Sequence, residues 1–371
     1  MALSVNDLVQ GQAAGAMRAS SGTALRQGLP FGGVMASAGA SVLAGRCGLP
    51  ALVVPLLGLA IVQAAWLPVA GALRHRAEFR LGWSAWWAVG PAHEHSGIHT
   101  VPLGLAVITS GLLALSAPYA MSWRLLPAEI CLGLTWLTAI ICIGRFVWSL
   151  ASHGFALKSL DGTWFLVPAV LLGAGIATAA MIPHCAPRWA GVLATLALGG
   201  VLLGWVGYWT LAMTALARVR RHGLGGVPLA PWWIAMGCAG LAAAALGRVL
   251  EGEALAVPVQ TFLRATTVTT ADLAVLLCVP VLVGGAWFLL RRCRYRAAAA
   301  WPPTFSTAVF ALGCLQAAAV AHSPALRALG FAAGDATLLF WAVTSCWNVK
   351  CALAARFGRG AEAIVETARG P

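Results

Sequence analysis

The densest set of reactive side chains is His93, Glu94, His95 and His99, an HxHxxxH pattern in a polar stretch between apolar segments. Imidazoles bind zinc and its neighbours when a scaffold fixes three or four of them in tetrahedral array. Three in a polar loop more commonly hold nothing specific, so no metal is expected. The ten cysteines (Cys47, Cys131, Cys142, Cys185, Cys238, Cys278, Cys293, Cys314, Cys346 and Cys351) include no CxxC pair and mostly fall inside apolar stretches. That pattern fits small apolar packers, not a disulfide frame or a metal site. No GxxxxGK[ST] and no GxSxG occurs, so neither nucleotide nor serine hydrolysis is signalled. No catalytic residue is nominated, no cofactor is expected, and an enzyme is not the expectation. Within or beside the apolar stretches the charged residues are Glu129, Arg145, Asp272, Asp335 and Lys350, each near enough to a stretch's end to snorkel or pair at an interface. No histidine lies in the middle of a stretch, which argues against a bis-histidine haem and against a proton relay.

The elements that carry these residues are helices in a bilayer. The chain is 60% hydrophobic and 9% charged over 371 residues, with mean hydropathy +0.84. Soluble domains carry about 25% charged residues. Ten apolar stretches run over 29–45, 51–73, 100–119, 126–149, 163–182, 190–216, 231–249, 267–290, 303–321 and 331–354. Most are near the roughly 20 residues that a spanning helix needs. The segment 1–28 is polar and has no long apolar core before a cleavage site, so no signal peptide is expected. Segments 1–28 and 355–371 are expected as tails around one ten-helix domain, 29–354.

The cations sort by loop parity. Arg46, Arg124, Arg188, Arg248, Arg264 and Arg327 fall on one face, and the other 18 of the 24 Lys and Arg fall on the opposite face or at the chain ends. Cytoplasmic loops hold the Lys/Arg excess, so both termini are expected in the cytoplasm, with the plasma membrane as location. The same sorting accounts for the net charge of +13 without nucleic acid, because the positives flank spans and form no aromatic-interleaved stripe.

Odd-numbered spans open with proline and aromatic residues: Pro30-Phe31, Pro102, Trp164-Phe165-Leu166-Val167-Pro168, Pro231-Trp232-Trp233 and Trp301-Pro302-Pro303-Thr304-Phe305. Even spans lack that opening. The alternation reads as five helical hairpins, parallel and arranged about an axis along the membrane normal, with odd spans inside and even spans outside. Phe31, Pro102, Pro168, Pro231, Pro303 and Thr304 are the candidates for lining or kinking a central pathway. Pro168, four or five residues into its span, is expected to bend it. The odd spans hold no Asp, Glu, Lys or Arg well inside the bilayer, so such a pathway is nearly uncharged and offers hydroxyls, backbone dipoles and rings.

Four stretches resemble the tellurite-resistance/dicarboxylate transporter (TDT) family, which takes in bacterial TehA-like proteins, yeast malate and sulfite transporters and plant slow-type anion channels. They are Phe31-Gly-Gly-Val-Met-Ala-Ser-Ala-Gly, Gly162-Thr-Trp-Phe-Leu-Val-Pro-Ala-Val, Pro228-Leu-Ala-Pro-Trp-Trp-Ile-Ala-Met-Gly and Trp301-Pro-Pro-Thr-Phe-Ser-Thr-Ala-Val-Phe-Ala-Leu. The likeness spans about residues 28–354. It implies ten helices as five hairpins around a central pore, a homotrimer with one pore per subunit, and passage of small anions, inorganic or C4-dicarboxylate-like. It also implies that the Phe305 ring plugs the pore. Two positions depart from the family pattern: Ser306 stands where a proline usually follows the gate Phe, and Met35-Ala36-Ser37-Ala38-Gly39 replaces the usual MGTG. A proton-coupled dicarboxylate or sulfite carrier is the alternative on the same fold. A membrane-embedded enzyme or assembly factor is the alternative from another class.

Overall fold

The computed structural model describes residues 31–74, 99–115, 124–155, 157, 160–223, 232–252, 257–291 and 301–368. The described residues are helical throughout, with no strand. In chain order the helices are α1 (Phe31–Arg46), α2 (Pro50–Arg74), α3 (Thr100–Ala114), α4 (Leu125–His153), α5 (Leu166–Met181), α6 (Pro187–His222), α7 (Trp233–Gly252), α8 (Val257–Arg291), α9 (Trp301–Ala321) and α10 (Pro324–Ala368). Seven of them, counting α5 with its flanking 3₁₀ turns, are long and apolar enough to cross a membrane, and the apolar parts of α2 and α3 are shorter. The chain is accordingly a multi-pass membrane protein by helix length and composition.

Local chemistry sets where the helices stop. Gly154 (φ 73°) and Gly223 (φ 66°) end α4 and α6 in left-handed conformations, their amides bonded to the Leu150 and Val219 carbonyls. After α1, the Cys47 and Leu49 amides bond to the Leu43 and Ala44 carbonyls, a Schellman-type end with Gly48 in the left-handed region. Asp161 accepts from the Thr163 amide at 2.8 Å and opens a 3₁₀ turn, Gly162–Phe165, that leads into α5.

Burial separates two classes of helix. In the apolar windows of α5, α7 and α9, 78%, 83% and 72% of residues are buried, against 22%, 22%, 33% and 22% in α4, α6, α8 and α10. The outer faces carry exposed Leu, Ile, Val and Trp side chains, among them Leu203, Ile140, Trp148 and Trp189, the surface that lipid covers. Each odd helix packs on its successor (α1–α2, α3–α4, α5–α6, α7–α8, α9–α10). The odd helices also touch in cyclic order: α1–α3, α3–α5, α5–α7, α7–α9 and α9–α1.

Three boundaries differ most from the sequence expectation. The eighth helix begins at Val257 instead of 267, so Asp272 is its sixteenth residue and lies near its middle, not its outer end. The tenth begins at Pro324 instead of 331 and runs to Ala368, taking in most of the expected tail 355–371. The cause is common to both: Arg264, Arg327, Arg356 and Arg359 lower local hydropathy without breaking a helix, since arginine is a good helix former. Pro168 is the third residue of α5, directly after the 3₁₀ turn Gly162–Phe165. Among the described helices interior prolines stand at Pro280 in α8 and at Pro55 and Pro68 in α2.

Candidate pore

The α9 sequence distributes its side chains over distinct faces. Ala308 meets Gly39 of α1. Ser306, Phe310 and Gly313 meet Gly237 and Gly240 of α7, where added β-carbons would lie 2.7 Å from the Ser306 Cα and 2.5 Å from the Phe310 Cα. Leu315 meets Gly330 of α10. Cys314 is within electrostatic range of Cys278 and Asp272 of α8. At 100° per residue these contacts leave one arc, and it falls between the α1 and α7 faces, opposite the outer helices. That arc carries Phe305, Val309, Leu312 and Gln316, and it faces the axis that the odd helices surround.

Phe305 is 5% exposed, packed in the main apolar cluster and turned away from the lipid face. Its neighbours Thr304 and Ser306 are fully buried, and the hydroxyls of both have no hydrogen-bond partner. An orphaned buried hydroxyl costs about 1–3 kcal/mol, so two of them flanking one ring are a departure from ordinary packing. Most other buried hydroxyls are used: Thr109, Thr135, Thr178 and Thr267 each bond the carbonyl four residues back. Further along the axis-facing arcs, packing loosens. Val42, Val107, Ser110, Ile176 and Leu312 are half-buried, while Met35, Leu103, Ala169 and Phe305, nearer the other end of the same helices, are buried.

The other nominated residues divide. Pro102, Pro168 and Pro303 each occupy the third position of α3, α5 and α9. Pro168 has its Cβ 3.4 Å from where a side chain on Gly207 of α6 would start, so it faces an outer helix and not the axis. Thr304 is buried one turn before Ala308, on the side of α9 between α10 and α1. Phe31 begins α1, and its side chain is outside the described residues, as is Pro231. Of the histidine motif, His93 and His95 lie outside the described residues. His99 is buried just before α3, its ring edge-on to Phe146 at 6.2 Å. Among the described residues no group of three or more His, Cys, Asp or Glu is placed to hold a metal, and eight cysteines are free thiols.

Two arrangements escaped the sequence reading. The first is a set of tryptophan–hydroxyl bonds between hairpins: Trp136 Nε1 donates to Thr178 Oγ1 (2.9 Å), Trp205 Nε1 to Thr270 Oγ1 (3.2 Å), and Trp341 Nε1 to Ser37 Oγ (3.0 Å). The Ser37 hydroxyl in turn donates to Gln63 Oε1 (3.3 Å). The second is a polar triad at the far end of α7 and α9. Gln316 Nε2 donates to Glu251 Oε1 (2.6 Å) and Arg248 Nη1 to Glu251 Oε2 (2.7 Å). The i, i+3 spacing of Arg248 and Glu251 was a visible signal; the third partner, 65 residues away, was not.

Compared with known proteins, the chain matches no family model and no curated protein.

Proposed function

We propose that the chain passes small anions across a membrane along the axis of its five hairpins, with the Phe305 ring as the closed gate. The observation that carries this reading is Phe305 itself: a buried ring on the axis-facing arc of α9, flanked by two unpartnered hydroxyls and followed by half-buried side chains. A ring in a narrow apolar passage blocks ions by sterics and by excluding water, and rotation about χ1 and χ2 would open it. The resemblance to the TDT family supports the same reading and adds a homotrimer with one pore per subunit. The cation distribution supports cytoplasmic termini and a plasma-membrane location.

The test is anion flux in proteoliposomes. Phe305→Ala is expected to conduct at least about tenfold faster than the unaltered chain for one or more of chloride, nitrate, sulfite, malate and succinate. A well-folded Phe305→Ala protein as silent as its parent for all five would end the gate. The second reading, a proton-coupled dicarboxylate or sulfite carrier, draws on Glu251, a carboxylate on the inner ring of helices. An inward pH gradient that drives uphill uptake would select it over a channel.

A further inference from the structure

The inner helices α1, α3, α5, α7 and α9 carry three Asp, Glu, Lys or Arg residues among the described positions: Arg46, Arg248 and Glu251. All three lie within the last five residues of their helices. They therefore gather at the end remote from Phe305, which is the fifth residue of α9.

The α7 faces place one of these charges, Arg248, on the axis side. Gly237, Gly240 and Gly247 of α7 lie against α9, and Cys238 is within electrostatic range of Tyr208 on α6. Ala243 clusters with Ala271 of α8. The arc left free carries Leu241 and Arg248, and Glu251 falls on the α9 face beside it. On α9, Gln316 falls on the same arc as Phe305, eleven residues on, or about 16 Å along the helix. Its side chain lies across Gly247, with Cγ 2.3 Å from where a β-carbon would stand. Only a glycine at 247 lets it reach Glu251.

The bonding within the triad is directional. Both Glu251 oxygens are engaged, one by Gln316 and one by Arg248. Arg248 uses Nη1 for this bond, so its Nε–Nη2 edge, two parallel N–H donors, has no protein partner among the described residues. The side chain is 32% exposed on a helix that is otherwise mostly buried. The adjacent carboxylate cancels the net charge. What remains is a fixed fork, whose geometry fits planar oxyanions bidentately and a spherical halide poorly.

We propose that Arg248 is the specificity-determining residue at the mouth remote from Phe305, where it selects planar monovalent oxyanions over halides, with Glu251 and Gln316 as its positioning residues. This inference rests on the anion-pathway reading above.

Its test uses full-length protein carrying Phe305→Ala in proteoliposomes, with nitrate and chloride fluxes each measured over a concentration series. Nitrate is expected to half-saturate at the lower concentration. Arg248→Gln should raise the nitrate value about tenfold and the chloride value less. Arg248→Lys, which keeps the charge and loses the fork, should erase the nitrate preference while leaving the chloride value near that of its parent. Gln316→Leu, which leaves the charge unchanged, should shift nitrate part of the way. If Arg248→Gln does not fold, as judged by its elution profile, the lysine and Gln316 variants carry the same comparison. A conducting background in which the Arg248 variants keep the nitrate-to-chloride ratio overturns this inference alone. A background that conducts neither anion overturns the pathway reading and this inference with it.

Discussion

At the scale of single residues, the α7–α9 contact is the tightest helix approach among the described residues. A β-carbon at Gly240 would stand 2.5 Å from the Phe310 Cα and 2.8 Å from both the Phe310 amide nitrogen and the Val309 carbonyl oxygen, and one at Gly313 would run into the Gly240 carbonyl. These are backbone atoms, so relief requires the helices to separate. Separation would carry Phe305 and Gln316 with it, since both ride on α9. Gly240→Ala and Gly313→Ala should each cost about 1–3 kcal/mol, read as a lower thermal midpoint in detergent. Gly133→Ala is the control: nothing lies within 4 Å of its added carbon, and α4 should gain up to about 1 kcal/mol of helix propensity. Equal losses at positions 133 and 313 would show that the close approach of α7 and α9 does not govern stability.

At the scale of elements, three tryptophans on outer helices bind hydroxyls of other hairpins, and the Trp341–Ser37 bond joins the last hairpin to the first. In lipid there is no hydrophobic force between helices, so such bonds and tight packing of small residues hold them together. A double-mutant cycle with Ser37→Ala and Trp341→Phe should give a coupling of about 1 kcal/mol, read from unfolding in mixed micelles. Strict additivity would place the stability of that seam elsewhere. The elements themselves were legible in the chain because a span needs only length and apolarity, and because proline is tolerated at the start of Thr100–Ala114, Leu166–Met181 and Trp301–Ala321. Their neighbours were not legible. What sets Gly240 against Phe310, or Trp341 against Ser37, is surface shape and a donor's reach across 304 residues, neither of which leaves a period in the sequence. Phe305 was nominated through a resembling motif, whereas nothing in the sequence set Arg248 apart: it was one more cation on the sparse face.

For the whole molecule, the arrangement makes a claim about sidedness that Cys47 can test. It sits in the turn between α1 and α2, at the same end as Arg248, Cys185 and His322. Burial and the nearby Asp335 carboxylate hold its thiol above the ordinary range. The thiolate is the reactive form, so the rate of maleimide addition near neutral pH should fall below that of a free thiol and climb as pH rises. Asp335→Asn removes the second of the two causes and should speed labelling at a fixed pH, while the first, burial, remains. In a chain keeping Cys47 as its one cysteine, an impermeant maleimide should label intact cells under the proposed orientation, in which the face with the Lys/Arg excess is cytoplasmic. A cysteine placed by His222→Cys, at the end of α6, should label only after permeabilisation. The reverse pattern would invert the molecule in its membrane and turn the Arg248 mouth toward the cytoplasm. Anions would then meet Arg248 on the way out of the cell, so the side from which nitrate is preferred reports the same orientation by an independent route.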